Sequence, residues 1–202
     1  MSDIQTTWDR VTSWLSVHAP DVLASLRPGA SEESIAAAEV ALRVQLPDAL
    51  RASFAIYDGQ EEEAPGLING CELLSLDRMI DEWSIWTELL QAGEFQDSVS
   101  ESDGPVRPDW WNPRWIPLTY DGTGNHHCID LDPAEGGLPG QVIVMMHDDP
   151  YRPVIAPNFA DWLEAFAEDL ETGIYVYDEE DGGVVHRRDL LADADEEDTE
   201  QN

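Results

Sequence analysis

The sequence predicts an α+β domain: N-terminal helices, a central antiparallel β-sheet, a C-terminal helix packed on the sheet, and a short terminal hairpin. Three observations carry this reading. Apolar residues recur at three-to-four spacing through the first half of the chain. From Trp115 onward, short β-branched and aromatic runs alternate with Gly- and Pro-containing turns. One strongly amphipathic stretch then follows Asn158.

Taken in order, Ile4, Trp8, Val11, Trp14, Leu15 and His18 form one face of a helix over residues 3–18, and Pro20 lies just beyond its end. Arg27-Pro-Gly-Ala30 reads as a turn. Ser31 is a good N-cap, because its hydroxyl satisfies free amides of the next turn, and Glu32 and Glu33 sit where the helix dipole favours negative charge. Ile35, Ala38 and Leu42 continue that second helix. Pro47 suits the first turn of a third, which Asp58-Gly59 ends. Residues 60–66 read as an exposed acidic loop and residues 72–75 as a short strand. A fourth helix over about residues 76–91 carries Met79, Ile80, Trp83, Trp86, Leu89 and Leu90, with Gly93 as its stop.

Residues 94–112 form an irregular insertion rich in Ser, Asp, Gly and Pro, predicted to run over the surface. Strands follow at about 115–120, 126–132 and 141–147. Asp121-Gly-Thr-Gly-Asn125 joins the first pair as a tight hairpin turn, and residues 132–140 form a longer loop. Asn158 caps a last long helix holding Phe159, Trp162, Leu163, Phe166 and Leu170, stopped by Gly173. Ile174-Tyr-Val-Tyr177 and Gly183-Val-Val-His186 make the terminal hairpin. One domain over residues 1–188 is expected, with an acidic, disordered tail over 189–202.

Composition narrows the function classes. A 202-residue chain with eight Trp and 42% hydrophobic residues can bury about 70% of its unfolded surface. Its 43 acidic residues face ten basic ones, all Arg, for a net charge of −33. Such a surface repels nucleic acid and anionic membranes and speeds encounter with a basic protein partner, unless the charge serves only solubility or a salty cytoplasm. Cys71 and Cys128 have no metal-ligand spacing and read as two buried thiols. The N-terminus lacks a basic region followed by an apolar run, and no apolar stretch approaches the ~18 residues of a membrane span. The expected location is cytoplasmic.

Catalytic and metal chemistry find little support. His126-His127 and His147-Asp148-Asp149, with Asp130 and Asp132, contain metal-ligating types. Adjacent strand residues, however, point to opposite faces, so His126 and His127 do not share an ion easily. Asp121-Gly-Thr-Gly-Asn125 lacks the lysine and the following helix of a phosphate loop. No nucleophile elbow surrounds any Ser or Cys. The chain is therefore expected to be no enzyme and to need no cofactor or metal. An unrecognised hydrolase is the outlying alternative.

Pro28-Gly-Ala-Ser-Glu-Glu-Ser-Ile-Ala-Ala-Ala-Glu39, Leu42, Leu46-Pro-Asp-Ala-Leu50, Phe54 and Asp58-Gly59 make one ordered set of motifs. Trp115-Ile-Pro-Leu118, Asp121-Gly-Thr-Gly-Asn125, Cys128-Ile-Asp-Leu-Asp-Pro133, Gly140-Gln-Val-Ile143, His147-Asp148 and Asn158-Phe-Ala-Asp-Trp-Leu163 make a second. Together they resemble the SUKH superfamily over a core of about residues 28–172. The resemblance implies a SUKH-like fold and a non-catalytic binding module. Members include bacterial immunity proteins that neutralise toxins, often nucleases, and a fungal cell-wall-assembly regulator. The main expectation it yields is an immunity protein occupying the basic surface of a nuclease-type toxin domain. The alternative is a regulatory scaffold of the cell-wall-assembly-regulator type. The candidate partner-binding residues are Asp58, Glu61, Glu62, Glu63, Trp111, Asp121, Asn125, Asp148 and Asp149, gathered by turns and strand ends at one rim of the sheet. Trp110, Trp111 and Trp115 read either as interface anchors or as cover for the sheet edge.

Overall fold

A computed structural model describes residues 3–102, 104–179 and 183–190. The fold is α+β, as the sequence predicts. Helix α1 (Ile4–His18) is followed at once by α2 (Pro20–Ser25). Pro20 thus ends one helix and, with its φ preset and no amide to satisfy, begins the next. Strand β1 (Leu26–Pro28) occupies part of the expected turn. Helix α3 (Glu32–Leu42) is capped by Ser31, whose Oγ accepts the Ser34 amide at 3.1 Å. Helix α4 (Asp48–Ile56) follows Pro47.

Asp58-Gly59 does not end α4 in an open turn. The chain passes straight into β2 (Tyr57–Gln60), which pairs antiparallel with β1. A four-residue strand containing Asp and Gly gives no alternating pattern, so the sequence does not announce it.

After β3 (Glu72–Leu73), helix α5 (Leu76–Ala92) begins at Ser75, whose Oγ accepts the Arg78 amide, and ends at Gly93 with φ +83°. Then come β4 (Trp115–Pro117), β5 (Thr119–Tyr120), β6 (His126–Asp130), β7 (Gln141–Met145) and β8 (Val154–Ala156). Strands β4-β6-β7-β8 make an antiparallel sheet in that order, and β5 pairs with β3. Strand β8 lies between Pro153 and Pro157, and these breakers hide it in the sequence. Helix α6 (Phe159–Thr172) is capped by Asn158 and stopped by Gly173. The terminal hairpin is β9 (Tyr175–Asp178) with β10 (Gly183–His186). Most of the expected acidic tail, from residue 191 on, lies outside the described residues.

One apolar cluster joins helices and sheet, with Trp8, Leu15, Trp111, Trp115 and Ile116 fully buried. Each such side chain contributes about 2–3 kcal/mol by leaving water. Helix α1 packs on α4 and α6: Trp8 Nε1 donates to Ser53 Oγ at 2.9 Å, and Arg10 forms a two-pronged pair with Glu171. The 94–112 insertion is more than a surface excursion, because Val106, Trp111 and Asn112 are buried. Arg152, wholly buried, pins it: the guanidinium stacks 5.1 Å from the Trp110 ring and donates to the carbonyls of Asp149, Tyr151 and Trp110. Desolvation lowers its pKa to about 10, since no carboxylate hydrogen-bonds it among the described residues.

Candidate functional site

At one end of the fold, the acidic segment after β2, the start of α5, and β3 with β5 enclose a groove of about 320 Å³. Glu62, Glu63, Glu72, Arg78, Tyr120 and Asp121 line it. Arg78 is the one cation among them. It reaches Glu82 at 2.9 Å, one helical turn on, and Glu72 at 3.5 Å, with its guanidinium 5.6 Å from the Tyr120 ring centre. Burial raises the Glu72 carboxyl above its usual range, and Glu62 and Glu82 push the same way against the pull of Arg78. One guanidinium therefore faces several carboxylates, and the groove has negative charge to spare for a further cation.

A second groove, of about 230 Å³, shares Asp121 and is lined by Asn69, Cys71, Thr119, Asn125 and His127 among others. Asp121 organises the turn between β5 and β6. Its Oδ1 accepts the amides of Thr123, Gly124 and Asn125, and Oδ2 accepts the Asn125 side-chain amide at 2.6 Å. Burial alone would raise this carboxyl, but these donors hold it below the usual range. Asn125 Oδ1 in turn accepts the His147 amide at 2.8 Å, tying the turn to the end of β7.

The structure thus brings Glu62, Glu63 and Asp121 to one groove and Asn125 to its neighbour. Glu61 is exposed beside them. Asp58 lines neither groove: its Oδ1 accepts the Leu76 amide at 2.9 Å, a second cap for α5, and its Oδ2 lies 3.6 Å from Arg27. Asp149 closes its own turn by accepting the Tyr151 amide, while Asp148 stands out in solvent with its side chain 71% exposed. Trp111 corrects the expectation outright. It is 2% exposed, donates to Thr87 Oγ1 and packs between the rings of Trp86 and Trp115, so it belongs to the core. Pro-rich flanks made it read as exposed, whereas Arg152 holds its loop inward.

Sequence reading misses Glu72, Arg78, Tyr120 and the turn at Asn69-Gly70. The i,i+4 pair Arg78–Glu82 and the Asn-Gly dipeptide were the available signals. His126 and His127 do point to opposite faces, one toward Trp86 and Tyr120, the other toward Trp162. Burial lowers both imidazoles to about 4. Burial, with Asp121 nearby, pushes the Cys71 thiol up to about 12, and burial raises Cys128 as well. Both cysteines are free. Among the described residues no group of three or more His, Cys, Asp and Glu is placed to hold a metal ion.

Comparison with known proteins gives this geometry a context. A model of the SMI1 / KNR4 family (SUKH-1) matches residues 29–165. The chain is 31% identical to the cell wall assembly regulator SMI1 of Saccharomyces cerevisiae, over 90% of its own length and 43% of that protein. It is 30% identical to the cell wall biosynthesis/cell cycle regulator smi1 of Schizosaccharomyces pombe, over 90% of the chain and 39% of that protein. A glucan synthesis regulatory protein of Neurospora crassa is 28% identical, over 88% of the chain and 40% of that protein. The chain spans less than half the length of these curated relatives. They overturn the toxin-neutralising expectation: similarity over nearly the whole chain leads to proteins named as regulators of wall assembly and glucan synthesis.

Proposed function

Because the chain belongs to the SMI1/KNR4 family (SUKH-1), we propose that it is a regulatory protein-binding module of the cell-wall-assembly-regulator type, acting without catalysis of its own. The observation that carries this is the reach of the similarity, about 90% of the chain at 30–31% identity to two proteins named as wall regulators. The family match also contains every residue named above for the acidic groove.

The partner is a basic protein segment. A net charge of −33 draws such a segment in and repels nucleic acid and anionic lipid, more so at low salt. The groove then offers Glu62, Glu63 and Asp121 to arginine or lysine side chains. The absence of catalysis is supported by the protonated Cys71 thiol and by two neutral imidazoles already committed to hydrogen bonds. The cytoplasm is the proposed compartment, since unpaired cysteines persist there. No helix among the described residues is long and apolar enough to cross a membrane.

The test is capture of the tagged chain from its native cell at low and high salt, paired with deletion of its gene and measurement of wall polymer synthesis. Several salt-sensitive partners and a wall defect are expected. Normal wall synthesis together with no salt-sensitive partner overturns the reading.

A further inference from the structure

Both grooves share one wall, the turn over residues 66–71, and that wall is built on an Asn-Gly reversal. Asn69 and Gly70 have φ of +53° and +73°, the left-handed pair that this dipeptide adopts at low cost. The Cys71 amide donates to the Ile68 carbonyl at 3.0 Å, closing the turn. Gly70 then lines the first groove, and Asn69 and Cys71 line the second.

The base of the turn is held from within the domain, because Gln60 Oε1 accepts the amides of Leu67 and Leu73. Its tip is held by the terminal hairpin. The Gly70 amide donates to the Val184 carbonyl at 2.9 Å, the Val184 amide to the Gly66 carbonyl at 2.8 Å, and the His186 amide to Asn69 Oδ1 at 3.2 Å. Strand β10 lies so close that a Cβ on Gly183 would stand 2.6 Å from the Gly66 oxygen. Val184 beside it is wholly buried.

Residues 183–186 lie beyond the family match, which ends at 165. We infer that β10 is a clamp that sets the groove wall, so that residues beyond the segment matched by the family model tune which basic segment this chain accepts. The inference rests on the acidic-groove reading for its partner, but the clamp itself is measurable without one.

The experiment uses the full chain, with Gly183→Ala to force β10 off Gly66 and Asn69→Gly to remove the Oδ1 acceptor while keeping the left-handed turn. Amide hydrogen exchange of Gly70 and Val184, which bond across the contact, reports the clamp, and low-salt affinity for an oligoarginine peptide reports the groove. Both variants should raise exchange at these amides about tenfold, the effect of losing a bond or two, and weaken oligoarginine several-fold. Unchanged exchange in both overturns the clamp. Faster exchange with unchanged oligoarginine affinity overturns its role in selectivity. If the unmodified chain ignores oligoarginine while exchange still rises in the variants, the basic-partner reading falls and the clamp stands. Should Gly183→Ala not fold, Asn69→Gly decides alone, because Asn69 is exposed and its turn geometry is kept.

Discussion

Trp86 Nε1 donates to Nε2 of His126 at 3.2 Å, while Nδ1 of the same imidazole lies 2.7 Å from the Thr119 carbonyl. A carbonyl only accepts, so the ring proton sits on Nδ1 and Nε2 receives the indole N–H. His126 is therefore neutral, wholly buried and fully bonded, with Glu82 3.8 Å from Nε2. A second proton on Nε2 would turn that acceptor into a donor facing the Trp86 N–H.

Acid sensitivity follows. Burial holds His126 at about 4 in the folded chain, against 6.5 when unfolded. Between those values the unfolded chain binds more protons, so stability present above pH 6.5 is lost as pH falls through the window, about 3 kcal/mol by its lower end. His127 adds a similar loss, and the raised carboxyls of Glu72, Asp58 and Asp130 act in the opposite sense near the bottom. Urea unfolding at stepped pH should show a clear decline for the native chain and a shallower slope for His126→Asn. Equal slopes would show that His126 titrates normally.

Trp111→Ala separates core from interface. Removing an indole packed between Trp86 and Trp115 should cost about 3–5 kcal/mol and lower the melting temperature by about 10 °C. Partner affinity at a temperature where the variant is folded should hold. A stable variant that no longer binds would return Trp111 to the interface.

Much of the fold is legible because local chemistry and periodicity agree. Ser31, Asn158, Gly93 and Gly173 mark helix ends by side-chain acceptors and left-handed φ, signals written within three or four residues. Strands β2 and β8 are not legible, since their pairing partners, rather than their own residues, make them extended. The site is legible mainly as charge. The turn at Asp121 is legible, but nothing in the sequence tells that Asp58 caps α5 and that Asp149 closes its own turn, while Glu62 and Glu63 stay open to a groove. That distinction depends on which amides lie within reach: those of Asp121 and Asp149 are two to four residues on, whereas long-range packing brings Leu76 to Asp58.

Cys71 tests the claim that no nucleophile is activated here. With its thiol near 12 rather than 9, the thiolate fraction at neutral pH is about a thousandfold below that of an ordinary cysteine. Iodoacetamide should modify the folded chain far more slowly than the chain unfolded in urea, as followed by mass spectrometry. Rapid modification of native Cys71 would mean that a thiolate forms and would reopen the catalytic reading.

Charge reversal tests the groove, and the hydrogen bonds determine which acids are informative. Asp121→Arg would unmake the turn that carries Thr123, Gly124 and Asn125, so its loss of binding would say nothing about contact. Glu62 and Glu63 are exposed and line the groove without holding it together. Replacing both with Arg should weaken a basic partner about tenfold at low salt and much less near 1 M, where screening falls to about 3 Å. Asp148→Arg changes the net charge in the same direction on an exposed residue that lines neither groove, so it measures long-range steering alone and should shift affinity less than about twofold. If Asp148→Arg weakens binding as much per charge as the Glu62 and Glu63 reversals, the partner senses the whole negative surface and not this groove.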